Sequence, residues 1–199
     1  MTLAIIVTHP RRRSFTMSAA DALAGGARSG GAEVMIRDLY RLRFDPRLRA
    51  GELPDHEGFT PRPDVVAERA ALEGVKVFIL VYPLWFNAPP AMLKGYVDRV
   101  FGMGFGYSPL HQGGNQPLLT GRKLASFTSS GAPQAWVESS GAWDAMRRHF
   151  DDHLAAVTGL EQIGHHNTGG VHPDLNPIKV KRWLENLRAH GERIARAWS

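Results

Sequence analysis

Three short stretches of this chain hold residue types suited to gripping a ligand. His9, Ser14 and Thr16 follow the apolar run Leu3 to Val7, and between them they offer a ring N–H and two hydroxyls. A helix starting near Ser14 would add free backbone N–H groups and the positive end of its dipole, a combination suited to phosphate. Pro83, Leu84, Trp85, Phe86 and Asn87 follow a second apolar run, Val75 to Val81. Exposed aromatics in such a loop are costly unless something flat covers them. Thr128, Ser129, Ser130 and Gly131 follow a third run and bring hydroxyls and a glycine that admits close approach. An anion site, an aromatic wall and a small polar loop together fit a planar heterocycle with a phosphate tail.

These stretches need elements to carry them. The runs at Leu3–Val7 and Val75–Val81 are continuous and rich in β-branched residues, as in strands covered on both faces of a parallel sheet. Tyr82-Pro83 closes the second, because proline pushes the preceding residue toward extended geometry. The spacing of Met17, Ala20, Leu23 and Ala27 predicts a helix capped by Ser14 or Thr16 and ended by Gly30-Gly31. Residues 33–39 alternate, as an edge strand does. Tyr40 to Pro63 has no sustained period and reads as a long excursion, of the kind that forms sites or interfaces. Asp64 to Leu72 reads as a helix. Pro89-Pro90 opens another, with Leu93, Tyr96, Val97, Val100 and Phe101 on one face. Residues 102–121 read as a surface loop, Lys123 to Ser130 as a strand, and Gln134 to Thr158 as one helix. Glu161 to His165 reads as a short strand and Ile178 to Trp198 as a final amphipathic helix.

Strands alternating with helices predict an α/β fold with a doubly wound parallel sheet and, in 199 residues without repeat or linker, one domain over 1–199. The dinucleotide fold is excluded by its missing glycine fingerprint, since the turn after the first strand reads THPRRRSFT. Gly102-Met103-Gly104-Phe105-Gly106 follows a helix and lacks the required spacing. The five-stranded order 2-1-3-4-5 remains, with its ligand at the C-terminal ends of strands one and three. All three stretches fall on that rim, which is what a flavin mononucleotide moiety needs.

Composition narrows the classes. The absence of cysteine excludes disulfide scaffolds, thiol catalysis and thiolate metal sites. A formal charge of +5 suits an anionic small molecule, because the basic residues are scattered and form no nucleic-acid module. The N-terminus reverses the order of a secretory signal and no apolar run reaches membrane-spanning length, so a cytoplasmic protein without membrane insertion is expected. His149 and His153 stand at ligand spacing on one predicted helix, and His165, His166 and His172 could add ligands. Arg147 and Arg148 oppose a cation there, and no metal is expected.

The stretches TLAIIVTHPRRRSFT, YPLWFNAPPAMLKGYVDRVF and GRKLASFTSSG resemble, in order, the NAD(P)H:quinone oxidoreductase family of flavodoxin-like flavoproteins. The block P-L-x-x-x-x-x-P-A-x-L-K-G is the most specific part. The resemblance implies one flavin per subunit, FAD or FMN, with NAD(P)H as co-substrate, a quinone-like acceptor, two-electron ping-pong hydride transfer and a homodimer. It places His9, Phe15 and Thr16 at the flavin phosphates or ribityl chain, Leu84 to Asn87 at the ring edge, and Thr128 to Gly131 at the pyrimidine side; the reading of the loops adds Ser14 and Pro83 to the cofactor-binding set. It sets Asp98 near an adenine half, and Tyr107 and Trp136 in the substrate pocket. No catalytic residue is assigned: the tyrosine and histidine that assist hydride transfer in animal members are missing from APQAWVESSGAW. An azo- or nitro-reducing enzyme and a flavin-binding redox-sensing subunit of a membrane transport system are the alternatives. Duller roles also fit single residues: Phe15 as a hydrophobic staple, Trp85 and Phe86 as interface cover, and Thr128 to Ser130 as strand-end polarity.

Overall fold

The computed structural model describes residues 1–53, 59–109 and 114–198. Strands β1 (Thr2–Val7), β2 (Glu33–Asp38), β3 (Val77–Pro83), β6 (Lys123–Ser130) and β7 (Glu161–Gly169) form a five-stranded sheet in the order β2-β1-β3-β6-β7. Every neighbouring pair is parallel. Two short strands, β4 (Tyr107–Pro109) and β5 (Asn115–Pro117), pair antiparallel in a separate ribbon inside what reads in sequence as a loop. Counted without that ribbon, the main sheet has the expected order.

Burial explains the pattern. All seven residues of β3 are buried, as its unbroken apolar run requires, whereas β2 at the edge is only half-buried. Alternation along β1 sends Ala4 and Ile6 into one core and Leu3, Ile5 and Val7 into the other. The second core is closed by α1 (Phe15–Ser29) and α7 (Pro177–Ala197). The first is closed by α2 (Pro63–Leu72), α3 (Ala91–Val100) and the helical run ending in α6 (His153–Thr158). Ser14 caps α1 by accepting the Met17 N–H at 3.3 Å, and Gly30 ends it. Pro54 of the long excursion lies outside the described residues. Residues 55–58 lie outside them as well, and Arg99 of α3 ties the excursion down at Glu52, at 2.9 Å, while reaching Asp64 of α2 at 2.7 Å.

The stretch 134–158 is not one helix. It comprises α4 (Gln134–Ser139), α5 (Ala142–Arg147), a π-helical turn (Arg148–Asp152) and α6, with a break at Gly141, whose φ is 71°. β7 continues four residues beyond the expected His165. Among the described residues, no helix is long and apolar enough to cross a membrane.

Candidate active site

A parallel sheet brings the C-terminal ends of its strands to one rim, and the order reverses between β1 and β3, where open α/β sheets hold their ligands. At the end of β1, Thr8 donates its N–H to the Val81 carbonyl at 3.1 Å. Its buried hydroxyl has no hydrogen-bond partner among the described residues. The Arg11 amide donates to Nδ1 of His9 at 3.0 Å, and Arg41 clamps the loop through the carbonyls of His9 and Pro10 at 3.2 and 3.3 Å. Burial lowers the pKa of His9, and the charges of Arg11 and Arg41 add to the effect against the backbone hydrogen bond to Arg11, which raises it. Beside this turn lies a cleft of about 640 Å³ lined by His9, Arg11, Arg12, Arg13 and Ser14. Phe15 stands edge-on to Trp183 of α7, and Thr16 is buried.

The loop after β3 is a two-residue hairpin. Trp85 and Ala88 exchange backbone hydrogen bonds of 3.1 Å in both directions. Phe86 and Asn87 at its tip have φ of 50° and 54°, the positive pair that a type I′ turn demands. Phenylalanine is uncommon there, because its Cβ crowds the backbone, and such strain gathers at functional sites. Phe86 is also fully exposed, and Trp85 is 42% exposed. The amide Nδ2 of Asn87 donates to the Ala142 carbonyl at 2.8 Å, which ties the hairpin to the start of α5.

Contacts join the three loops. The His9 and Trp85 rings meet edge to face at 6.1 Å. The Leu84 N–H donates to the Ser129 carbonyl at 2.7 Å. Thr128, Ser129 and Ser130 are buried at the end of β6, whereas Gly131 is exposed. A Cβ placed on Gly131 would meet only the Val171 carbonyl, at 3.9 Å, so the chain's own packing does not demand glycine there.

Not every sequence candidate joins this rim. Asp98, on α3, pairs with Lys94 at 2.5 Å and lines a separate cleft of about 230 Å³ with Tyr107, His149 and His153. Trp136 stands on α4, 57% exposed. His149 lies in the π turn and His153 just beyond it, so regular helical spacing does not apply. Among the described residues, no group of three or more His, Asp or Glu side chains is placed to hold a metal ion.

Sequence reasoning missed a buried polar chain behind the third loop. Asp151 accepts from the Ser126 hydroxyl at 2.6 Å and contacts Nδ1 of His165 at 2.6 Å, with both side chains wholly buried. Nε2 of His165 lies 3.0 Å from Oγ1 of Thr128, whose hydroxyl donates to Oδ1 of Asn167 at 3.0 Å. Asn167 in turn donates to Ser130 and Gln134 at 3.1 and 2.8 Å. Gly169 makes this approach possible, since a Cβ there would lie 2.3 Å from the Gln134 nitrogen. The signal in the sequence is faint: Ser126 interrupts a buried strand, and Asp151 adjoins an apolar helical stripe.

A family model described as a flavodoxin-like fold matches residues 1–191. An uncharacterised NAD(P)H oxidoreductase of Haemophilus influenzae is 30% identical over 187 residues, 93% of this chain and 91% of that protein. The chain belongs to the NAD(P)H:quinone oxidoreductase family of flavodoxin-like proteins. Rat NAD(P)H dehydrogenase [quinone] 1 is 30% identical over 145 residues, but the match covers 64% of this chain and only 53% of the rat protein. Among solved structures, a Methanothermobacter marburgensis NAD(P)H:quinone oxidoreductase superposes with a TM-score of 0.86 at 25% identity, covering 98% of both chains. The rat protein extends well beyond the part matched here.

Proposed function

We propose that this chain is a NAD(P)H-dependent flavin oxidoreductase that reduces quinones or similar flat acceptors by two-electron transfer. The observation that carries the reading is the meeting of three loops on one rim: an arginine-lined anion cleft, a strained hairpin presenting two aromatics, and a hydroxyl loop ending in a glycine that the chain's own packing does not require. These features fit the parts of a flavin in order. Arg11 to Arg13, His9 and Ser14, with the N-terminus of α1, would bind the phosphate end, where charge-assisted donors are strongest. Phe15 and Thr16 would face the ribityl chain. Pro83 to Asn87 would orient the ring edge, and Thr128 to Gly131 its pyrimidine side. A bound flavin supplies the hydride chemistry between NAD(P)H and acceptor. The protein's share is to stack, orient and exclude water.

A homodimer belongs to the same reading. Phe86, Trp85 and Trp136 leave large apolar surfaces uncovered in one subunit. A partner approaching the hairpin would complete the acceptor pocket, with Tyr107 contributed from its separate cleft, and Asp98 would lie near an adenine half if the cofactor is FAD. One domain and a cytoplasmic enzyme complete the proposal.

The test begins with the purified protein. Its cofactor is extracted and weighed by mass spectrometry, which separates FAD from FMN. NADH or NADPH should then bleach the bound flavin, and added quinone should restore the colour. Colourless protein that cannot be reconstituted with either nucleotide would overturn the proposal, and slow turnover with every acceptor would favour a sensing role.

A further inference from the structure

The buried chain behind the third loop fixes its own proton positions. The Gln134 amide donates to Glu138 at 2.8 Å, which turns its carbonyl oxygen toward Asn167. Asn167 therefore gives its two N–H groups to Gln134 and Ser130, leaving Oδ1 to accept from Thr128. The only hydroxyl proton of Thr128 is thus committed, and Nε2 of His165, 3.0 Å away, must carry a hydrogen for that contact to attract. At Nδ1 the partner is Asp151, which already accepts the Ser126 hydroxyl. The second carboxylate oxygen of Asp151 lies 2.6 Å from Nδ1, and a ring that donates to it carries a hydrogen on both nitrogens.

We propose that His165 is held as an imidazolium by Asp151 and acts as a positioning residue that locks the Thr128–Gly131 loop and sets a fixed positive charge behind it. The surroundings agree. Trp143 and Tyr82 flank the imidazole edge to face at centroid separations of 4.6 and 6.3 Å, and Trp143 lies within the range of cation–π attraction. The carboxylate lies on the far side of the ring from Thr128, so the positive end of the pair faces the loop. The consequence for a ligand rests on the flavin reading above: a cation beneath the pyrimidine-side loop favours the negative charge of a reduced ring, in the manner of fixed dipoles aimed at developing charge.

Two measurements test this on the full chain. In flavin-free, 15N-labelled protein at neutral pH, long-range nitrogen–proton spectra should show both ring nitrogens of His165 protonated, and Asp151→Asn should abolish that signature. A single-tautomer neutral ring in the wild type overturns the proposal whatever the protein binds. In flavin-loaded protein, His165→Gln should lower the preference for reduced over oxidised flavin about tenfold, roughly a 30 mV more negative midpoint for a two-electron couple. His165→Lys, which keeps a charge, should restore part of it. An unchanged midpoint in folded His165→Gln overturns the electrostatic role. Should the protein retain no flavin, the functional reading falls, while the nitrogen spectrum still decides the state of His165.

Discussion

Arg99 and His165 are both buried cations facing carboxylates, and they do different work. Arg99 is 1% exposed and meets two carboxylates, Glu52 and Asp64, with a further bond to the Asp45 carbonyl at 2.5 Å. Burial alone would lower its pKa, but the hydrogen bonds of Asp64 and Glu52 outweigh this and raise it. Its bonds end in the scaffold, pinning an excursion of irregular chain onto α3. The contacts of His165 do not end there. They pass through Thr128 and Asn167 to Ser130, and so reach the rim. A buried charge whose partners all lie within the scaffold serves to hold it together, whereas one whose hydrogen bonds run out to a ligand loop can also set that loop's geometry and field.

Breaking the Arg99 side should cost the most stability. Arg99→Met strands the buried carboxylate of Glu52, and losing one partner of a buried pair typically costs roughly 3–5 kcal/mol. Urea denaturation should show that loss, while the midpoint of any retained flavin stays put. A shifted midpoint would erase the distinction between the two regions.

On the rim side, replacing Trp85 and Phe86 together by alanine should weaken flavin retention by more than tenfold. Replacing His149 and His153 should leave it within twofold, as measured by flavin fluorescence after dialysis. The reverse ranking would move the site to the α3 cleft.

Gly95→Ala sharpens the comparison from the Arg99 side. Its Cβ would fall 2.1 Å from the Pro46 carbonyl, so the excursion must lift from α3, at a cost of about 1–3 kcal/mol by thermal or urea unfolding.

Phe86→Gly should raise stability by about 1 kcal/mol, because glycine takes a positive φ without strain, and should lower flavin retention. A gain in both would mean the aromatic tip has no binding role.

The smallest effect concerns pH. Burial pushes His190 down to about 4, with His166 and Arg193 adding to it, and burial also lowers His166, with His165 and Arg193 adding there. Both groups bind protons more readily in the unfolded chain, so stability should rise with pH between about 4 and 6.5 and level off above. Replacing His190 by asparagine should flatten that rise in urea titrations.

Much of the fold and of the rim is legible in the order of residues alone. Ser14 as a cap, the proline-closed β3, the edge character of β2 and the place of the three rim loops all follow from neighbours in sequence, because capping, proline sterics and continuous burial are local effects. The acid–base pair is not legible in this way. Asp151 sits one position from Phe150, so regular helical spacing would turn it about 100° away from the core stripe. The π turn alters that phase and buries it. The left-handed Phe86 is hidden for a related reason, since nothing in its own residue type calls for positive φ.

The sequence by itself determined which strands would be central and which residue types would follow them, since these depend on residue type and the order of neighbours. Only the tertiary structure decided which polar groups would face one another inside the protein. The meeting of Asp151 with His165 depends on a helical phase and a strand register set by packing across the whole sheet, and neither can be read from the residues adjoining either partner.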